Sequence, residues 1–344
     1  MTFNFKLKGT GPVSFHLGVT YARDSDGVLY MSPKRFLEKI FDEYEQHFGE
    51  KPKEYSSPIL GGSHPELDTS ELLDSTGIQR YQSIVGSLQW AVTIGRSDIA
   101  PAVMTLSSFR AAPRKGHLEC AKRVVGYLSK MRHGAVRIRV GRPDFSEIPI
   151  PAHDWMESIY GKVEEVIPEN APEPLGPTVV LTTYVDANLY HDMLTGRALT
   201  GIYHFVNQTP VDWFCKKQGT VETATYGSEF VAARIATDQI VDLRNTLRYL
   251  GVRVEDHSVL FGDNKSVVDS SKIPHHKLNK RHNALSFHRV REAVASGMLR
   301  FFHIDGKVNP ADVLSKHWDY SAVWKHLQPL LFWQGDTIEL EDKE

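Results

Sequence analysis

The sequence predicts an α/β protein in which a mixed five-stranded sheet carries helices on both faces. Two runs rich in β-branched and aromatic residues, Thr178–Asp186 and Ser258–Gly262, have the composition of buried strands. The first ends on Asp186, and the second is followed directly by Asp263. Between them, residues 226–250 have the apolar period of a long helix. This order of strand, helix and strand is typical of a layered α/β fold.

The amino-terminal part is predicted to be mainly helical after a β-hairpin. Alternating apolar residues flank the turn signal Asp24–Gly27, which predicts a hairpin over residues 13–31. Ser32 as cap and Pro33 as first residue are expected to start a helix that Gly49 ends. Further helices are predicted at Tyr81–Ile94, Asp98–Phe109 and His117–Met131, after an irregular connection over residues 50–77.

The carboxy-terminal part supplies the strands of the predicted sheet. Three consecutive strands come first, and a long helix and two more strands follow. The predicted strands are Thr178–Asp186, Ala198–Asn207, Val211–Lys217, Ser258–Gly262 and Met298–Ile304. A last helix is expected to have Asn309 as its cap and Pro310 as its first residue, which places Asp312 in the opening turn.

A proline-rich segment separates these two parts. Residues 143–177 hold seven prolines and an excess of acidic side chains. This composition disfavours regular structure and predicts a stiff linker or an insertion laid over the surface. Trp155, Met156 and Tyr160 indicate that part of the segment is held against the rest of the protein. Basic residues concentrate before it, with ten lysines and arginines in residues 110–142.

Composition narrows the class of protein. The chain has 344 residues, of which 41% are hydrophobic and 24% charged, and a net charge of −2, which is ordinary for a globular protein. Two cysteines, Cys120 and Cys215, exclude a disulfide framework and a cysteine-rich zinc site, and they favour a reducing compartment. The sequence shows no apolar signal segment and no apolar run of roughly 18 residues, so an intracellular protein, cytoplasmic or nuclear, is expected.

Acidic residues at strand ends and on one helix point to a metal site. The long helix has a single carboxylate at the head of its apolar face, Glu229; the other members of that face are Ala233, Ala236, Ile240, Leu243, Leu247 and Leu250. A carboxylate directed towards a core is costly unless a positive charge meets it. Singly, Asp186, Asp263 and Asp312 could be turn or helix-start residues. Taken together with Glu229, they are best explained by bound divalent cations.

Several blocks of sequence are distinctive in type and order. They are Tyr81–Val103, Ala121–Leu128, Tyr184–Ala187, Asp212–Gln218, Ala224–Phe230, Gly262–Asn264, Lys280–Glu292 and Asn309–Lys316. In this order they resemble the carboxy-terminal part of a copia-type LTR-retrotransposon polyprotein, meaning the end of the reverse transcriptase and its ribonuclease H domain. The resemblance implies a palm-end, thumb and connection remnant at residues 1–142, the linker at 143–177, a ribonuclease H-like domain at 178–333 and an acidic tail at 334–344.

The resemblance also implies an activity, hydrolysis of the RNA strand of an RNA–DNA hybrid with two Mg²⁺ ions, for which Mn²⁺ could substitute. It implies that Asp186 binds both ions and that Asp312 binds the one that activates water. Glu229 and Asp263 would be flanking ligands. Magnesium prefers hard oxygen ligands, which fits a set of carboxylates. His303 is a weaker candidate for proton transfer, because it is expected instead to end a strand.

Three groups of residues are candidates for binding the hybrid. Two polar residues are predicted to reach the minor groove, where a 2′-hydroxyl distinguishes RNA from DNA. One basic stretch and one basic helix face are predicted to contact phosphates, although each could instead be a surface or packing feature. The groove candidates are Gln218 and Asn264, those of the basic stretch are Lys280, Arg281, His282 and His288, and those of the helix are Lys122, Arg123 and Lys130.

The sequence departs from the family pattern in two respects. The polymerase signature Tyr-x-Asp-Asp is absent, so no autonomous polymerase activity is expected, and an upstream polymerase portion of the same polyprotein is a candidate partner. Residues 188–190 stand where the family usually has a tryptophan and a second acid, which weakens substrate-contact assignments there. Two alternatives stay open: a catalytically silent, nucleic-acid-binding retrotransposon relic, and a strand-transfer nuclease of the integrase type. No membrane partner is expected.

Overall fold

A computed structural model of the protein describes residues 11–148, 153–278 and 281–331. The first of these ranges contains four short strands and four α-helices. The strands are β1 (Phe15–His16), β2 (Val19–Arg23), β3 (Leu29–Ser32) and β4 (Val136–Arg137), which pair in this order as one antiparallel sheet. The helices are α1 (Lys34–Phe48), α2 (Ser75–Thr93), α3 (Ala100–Ser107) and α4 (Lys115–Lys130).

This part is mainly helical and starts with a hairpin, as predicted. Gly49 ends α1 with a φ of 72°, a left-handed conformation that glycine adopts readily. α2 begins at Ser75 rather than at the predicted Tyr81. The reason is that the Asp74 carboxylate accepts a hydrogen bond from the Gly77 amide (2.7 Å) and caps the helix. The observed bounds of α3 and α4 lie within two residues of the predicted ones.

The remaining described residues contain seven strands and five α-helices. The strands are β5 (Leu175–Val179), β6 (Leu181–Asn188), β7 (Leu199–Val206), β8 (Thr209–Lys217), β9 (Val252–Val254), β10 (Ser258–Gly262) and β11 (Leu299–His303). The helices are α5 (Thr225–Tyr249), α6 (Lys265–Lys272), α7 (Ala284–Ala295), α8 (Asp312–Ser315) and α9 (Tyr320–Leu330). No helix in the described ranges combines the length and the apolar character that a bilayer span requires.

Five of these strands form the main sheet, in the order β11-β10-β6-β7-β8. β6, β10 and β11 run parallel to one another, whereas β7 is antiparallel to both β6 and β8. α5 packs against one face of the sheet, and α8 packs against the other. The predicted mixed five-stranded sheet with helices on both faces is confirmed.

The predicted strand Thr178–Asp186 is divided into two strands in the structure. β5 pairs with β9 in a separate two-stranded sheet, and only β6 enters the main sheet. Val180 stands between them. Its N–H donates to Asn207 Oδ1 (3.0 Å), and its carbonyl accepts from the backbone N–H of Asn207 (2.8 Å). Composition alone did not reveal this break because both halves are extended and β-branched.

The proline-rich segment is held against α5 and α7 over its described residues. The Arg291 guanidinium of α7 lies over the rings of Trp155 and Tyr160, at 5.0 and 5.5 Å from their centroids. Glu165 is bound by two arginines of α5. The expectation that Trp155 and Tyr160 hold this segment in place is confirmed, whereas Met156, predicted with them, is exposed.

The predicted apolar face of α5 is buried at its start but not at its end. Glu229, Ala233 and Ile240 are buried, as expected. Leu250, however, is 72% exposed, and the fully buried side chain near this end is Arg244. An arginine can occupy that position because a carboxylate of the proline-rich segment pairs with it.

The helical front part and the main sheet share one hydrophobic core. Leu88 of α2 and Val125 of α4 belong to the same buried cluster as Tyr203 of β7 and Leu314 of α8. The Trp213 indole N–H on β8 also donates to a carbonyl of α2 (2.9 Å). Because α8 packs between the front helices and the sheet, both parts fix the position of the residues that α8 carries.

Candidate metal-binding active site

Three aspartates from distant parts of the chain meet at the carboxyl ends of two neighbouring parallel strands in the main sheet. Asp186 lies on β6, Asp263 follows β10, and Asp312 opens α8. β6 and β10 are parallel neighbours, with Val185 paired to Gly262. The residues that come next on the two strands therefore emerge side by side, as is usual at the carboxyl ends of parallel strands.

Close packing of α8 on the sheet brings Asp312 to the other two aspartates. Gly201 on β7 is the residue paired with Asp186. A Cβ atom at Gly201 would lie 2.7 Å from the Ala311 carbonyl oxygen and 2.9 Å from Leu314 Cβ. A larger residue would push α8 away from the sheet, so the glycine is needed for this close approach.

Asn309 fixes the turn before Asp312, although it does not cap a helix that starts at Pro310, as the sequence predicted. α8 begins only at Asp312. The Asn309 side-chain amide donates to the Val185 carbonyl (3.0 Å), and its Oδ1 accepts from the Ala311 N–H (3.1 Å). One side chain therefore ties the turn to β6. The predicted place of Asp312, in the opening turn of the helix, is confirmed.

The three carboxylates are close enough to share a cation. One oxygen from each of Asp186, Asp263 and Asp312 lies within 4.8 Å of the other two. The Ser315 hydroxyl donates a hydrogen bond to Asp186 Oδ2, and the Lys316 ammonium lies 2.9 Å from Asp312 Oδ1. These two neighbours orient the carboxylates, but Lys316 offsets only part of their negative charge.

Burial and mutual repulsion raise the pKa values within this cluster. Burial first, and the charge of Asp186 second, raise the pKa of Asp263. The same causes raise the pKa of Asp312 to about 6, against the opposing charge of Lys316. A divalent cation would stabilise the ionised forms. Hard carboxylate oxygens are the ligands that Mg²⁺ prefers, so the residues present fit a magnesium site.

Glu229 lies beside the three aspartates but outside the group that can share one ion. It is buried at the start of α5 and accepts a hydrogen bond from the Ala187 backbone. Burial, followed by the charges of Asp186 and Asp263, raises the pKa of Glu229 well above its ordinary value. The structure therefore groups three of the four predicted acids and places the fourth within electrostatic range of them.

The two minor-groove candidates occupy different environments. Asn264 follows Asp263 directly and caps α6 through its side-chain oxygen. Gln218 is only 2% exposed, and its Nε2 donates to Thr200 Oγ1 (3.0 Å) and to the Ser228 carbonyl (2.8 Å). A groove contact by Gln218, as the sequence predicted, is not compatible with this burial. Its side chain instead joins the end of β8 to the first turns of α5.

The basic stretch keeps three of its four candidates at accessible positions. Arg281, His282 and His288 are exposed, whereas Lys280 lies outside the described residues. His282 Nε2 is 3.0 Å from the Glu222 carboxylate. His288 Nδ1 is 2.7 Å from the hydroxyl of a tyrosine in the proline-rich segment. Both histidines therefore combine a protein partner with access from solvent.

The basic residues on α4 are engaged in contacts within the protein. Lys122 forms an ion pair along α4 at 3.0 Å. The Arg123 guanidinium donates to Ser57 Oγ, and the Lys130 ammonium donates to Ser56 Oγ, each at 3.1 Å. These bonds hold the 50–77 connection against α4. They favour the packing role that the sequence left open over a contact with phosphate.

Sequence reasoning did not single out Ser315 and Lys316, and it gave His303 only a weaker role. Ser315 and Lys316 follow Asp312 at i+3 and i+4, the spacing at which helical side chains are neighbours, so a signal was available. His303 ends β11, as expected, and its Nε2 lies 3.0 Å from the Asp263 carbonyl oxygen. All three residues therefore adjoin the carboxylate cluster.

Comparison with known proteins agrees with the sequence resemblance. No protein-family model matches the chain. It is 24% identical over 322 residues to the retrovirus-related Pol polyprotein from transposon TNT 1-94 of Nicotiana tabacum. This alignment covers 91% of the present chain and 21% of that polyprotein. It is 24% identical over 312 residues to the corresponding polyprotein from transposon RE1 of Arabidopsis thaliana, covering 91% and 18%. The chain thus spans about a fifth of the length of these curated relatives.

Among solved structures, the N-terminal RNase H domain of a Mycobacterium tuberculosis protein, fused to maltose binding protein, aligns with a TM-score of 0.32 and 15% identity. The alignment covers 44% of this chain and 98% of that one. Over 91% of its length, the chain is similar in sequence to the retrovirus-related Pol polyproteins of transposons.

Proposed function

We propose that the chain is a ribonuclease H, a metal-dependent endonuclease that hydrolyses the RNA strand of RNA–DNA hybrids and derives from a copia-type retrotransposon polyprotein. The observation that carries the proposal is the cluster of Asp186, Asp263 and Asp312, whose oxygens lie within 4.8 Å of one another. The five-stranded sheet that presents the cluster supports it, as does the sequence relationship to Pol polyproteins. Polymerase activity is not part of the proposal, because the sequence contains no Tyr-x-Asp-Asp signature.

The chemistry follows from the three carboxylates and their neighbours. Two Mg²⁺ ions, for which Mn²⁺ could substitute, would supply an activated water and neutralise charge on the departing oxygen. Asp186, Asp263 and Asp312 would hold the ions, and Glu229 would flank them. The Ser315 hydroxyl orients one oxygen of Asp186.

His303 completes the proposed set of reacting groups. Its imidazole is exposed at the end of β11, beside the Asp263 carbonyl. From there it could transfer a proton to the departing oxygen, because a positioned histidine side chain can act as a general acid.

The hybrid is the substrate that fits the surroundings of the cluster. Asn264 follows Asp263 in the chain and could contact the minor groove, where the 2′-hydroxyl marks RNA. The exposed side chains of Arg281, His282 and His288 could contact phosphates, which position a duplex without reading its sequence. An upstream polymerase portion of the same polyprotein is the proposed protein partner, because such a portion would deliver the hybrid to the nuclease.

One observation favours a second candidate, a nucleic-acid-binding relic without turnover. The Lys316 ammonium lies 2.9 Å from Asp312 Oδ1 and offsets part of the negative charge without any metal ion. A cluster stabilised in this way could persist after catalysis had been lost. In that case the protein would bind hybrids and leave them intact.

Cleavage of an end-labelled RNA–DNA hybrid, followed as Mg²⁺ is added, separates these candidates. The nuclease proposal expects Mg²⁺-dependent RNA fragments from the hybrid and none from duplex DNA. Asp186→Asn should abolish them, whereas Asp242→Asn, which neutralises an exposed acid on α5, should not. Binding without cleavage would identify the relic, and joining of DNA ends would identify a strand-transfer nuclease.

A further inference from the structure

A second concave site lies on the sheet face that carries Asp186 but is separate from the carboxylate cluster. It is a cavity of about 430 Å³, within the roughly 300–1,000 Å³ of small-molecule sites. Thr182 and Tyr184 of β6 line it, and they share a face with Asp186 because strand residues alternate. The three aspartates of the metal site, all among the described residues, do not line it. The other walls come from β7, α9, the start of the proline-rich segment and the connection between β11 and α8.

One wall of this cavity is aromatic. Tyr184 and Phe205 meet edge to face, with ring centroids 5.5 Å apart and planes at 82°. Tyr184 also stacks on Phe261, at 5.1 Å and 17°, and Phe145 packs against the same phenylalanine at 5.7 Å. These packed rings give the wall a continuous apolar surface. Such a surface favours a planar group.

The other wall is cationic. Arg139 and Lys325 line the cavity together with the largely buried His326, and none of its lining residues within 11–148, 153–278 and 281–331 is acidic. Two hydrogen bonds with the Thr209 hydroxyl hold the backbone of Arg139. The Arg139 N–H donates to Thr209 Oγ1 (2.7 Å), and the same hydroxyl donates to the Arg139 carbonyl (3.0 Å). Neither Arg139 nor Lys325 forms an ion pair with any residue in the described part of the chain. Two unpaired cations beside an aromatic wall favour an anionic ligand.

Thr182 adds an unused hydrogen-bonding group to this site. The residue is 3% exposed, and its hydroxyl has no hydrogen-bond partner among the described residues. A buried hydroxyl left unsatisfied costs about 1–3 kcal/mol. Most buried polar groups in proteins are satisfied, so an orphan in the lining of a cavity is a place where a ligand atom could make the missing bond.

We propose that this cavity binds a small planar aromatic anion, with its ring against Tyr184 and Phe205 and its carboxylate or phosphate at Arg139 and Lys325. The proposal does not depend on the nuclease activity, because no residue of the metal site takes part. Two sources share this chemistry, a nucleotide and an aromatic carboxylic acid. A nucleotide carries a phosphate and a sugar beside its ring, whereas an aromatic carboxylic acid carries only a carboxylate.

Isothermal titration of the full chain, with EDTA present so that nucleotides cannot bind through a metal ion, tests the proposal. The probes are adenosine 5′-monophosphate and naphthalene-2-carboxylate, each compared with its neutral counterpart, adenosine or naphthalene-2-carboxamide. At least one anion should bind about tenfold more tightly than its neutral counterpart, since tenfold corresponds to about 1.4 kcal/mol. The anion that binds identifies the source.

Variants locate the binding in this cavity. Arg139→Gln should weaken the affinity for the anion about tenfold, as expected for loss of a charge-assisted hydrogen bond. Thr182→Val should weaken it about threefold. Lys39→Gln, which removes an exposed cation on α1, is the matched control and should leave the affinity unchanged.

Three outcomes would overturn the proposal. The first is that neither anion binds at concentrations up to millimolar. The second is that the neutral probes bind with the same affinity as the anions. The third is that Arg139→Gln binds the anion with the same affinity as the unsubstituted protein. Thermal melting of each variant checks that it is folded. If Arg139→Gln is unfolded, Lys325→Gln, at an exposed position on α9, replaces it in the same comparison with the same expected loss.

Discussion

Two groups of acidic side chains in this protein, Glu165 and the three aspartates of the metal site, lie in opposite electrostatic surroundings. Burial alone would raise the pKa of Glu165, but four hydrogen bonds of 2.7–2.9 Å from Arg244 and Arg248, with the charges of these arginines, lower it to about 2. At the metal site, burial and the neighbouring carboxylate raise the pKa values of Asp263 and Asp312, and Lys316 does not compensate.

The difference separates a structural acid from a functional one. Glu165 is fully matched by two arginines, so it fastens the proline-rich segment to α5 and has no capacity left for a ligand. The metal site contains more negative charge than the chain neutralises. Perturbed groups of this kind concentrate at functional sites because the missing charge is supplied by a ligand. Substitutions that neutralise an acid should therefore act in opposite directions at the two places.

The largest expected effect is on catalysis, from Asp263→Asn. The rate of hybrid cleavage should fall about a thousandfold or more, because the variant loses charge stabilisation of the transition state. Single-turnover cleavage at saturating Mg²⁺ measures the change, and Asp242→Asn serves as the control. A variant that keeps a tenth of the original rate would show that Asp263 is not a ligand of a catalytic ion.

The next largest effect is on folding, from Glu165→Gln. Stability should fall by about 3 kcal/mol, because two arginines that are little exposed lose their counter-charge. Urea unfolding monitored by circular dichroism measures the change in free energy. Glu164→Gln is a matched control at the neighbouring residue, which is 74% exposed, and it should leave the midpoint within error. Equal midpoints for the two variants would contradict the assigned role of Glu165.

The stabilisation by Glu165 should disappear in acid. The folded-state pKa of about 2 lies below the ordinary value of 4.5, so the contribution is fully present above pH 4.5 and is lost as the pH falls towards 2. Unfolding curves of the unsubstituted protein and of Glu165→Gln, recorded at decreasing pH, should therefore converge over this window. A gap that persists at the acid end would show that Glu165 acts by packing rather than by charge.

The same comparison shows what the sequence could and could not predict. Asp186 and Asp263 were predictable because each follows an apolar run, and parallel neighbours bring their carboxyl ends together. The burial of Arg244 was not predictable from the α5 pattern. Its partner Glu165 lies 79 residues away, in a segment whose composition indicates only irregular structure. Gln218 was misassigned for a related reason, since its burial depends on where the first turns of α5 pack.

A smaller effect, opposite in sign to that of Glu165→Gln, is expected from Asp312→Asn. In EDTA this variant should be about 1 kcal/mol more stable than the unsubstituted protein, because it removes one of the repelling charges. Added Mg²⁺ should raise the melting temperature of the unsubstituted protein, since a ligand that binds only the folded state stabilises it. The variant should respond much less. A destabilised variant in EDTA would show that the cluster carries no excess negative charge.

The smallest effect is expected from Lys316→Met, which removes the cation beside Asp312. Its side chain is 44% exposed, so the pair with Asp312 should contribute only about 0.5 kcal/mol after screening by solvent. In EDTA the variant should melt at a slightly lower temperature than the unsubstituted protein. With saturating Mg²⁺ the difference should vanish, because the metal ion then supplies the charge that Lys316 provides in its absence. A difference that is the same with and without Mg²⁺ would mean that Lys316 and the ion act at separate places, and the cluster would no longer qualify as the binding site.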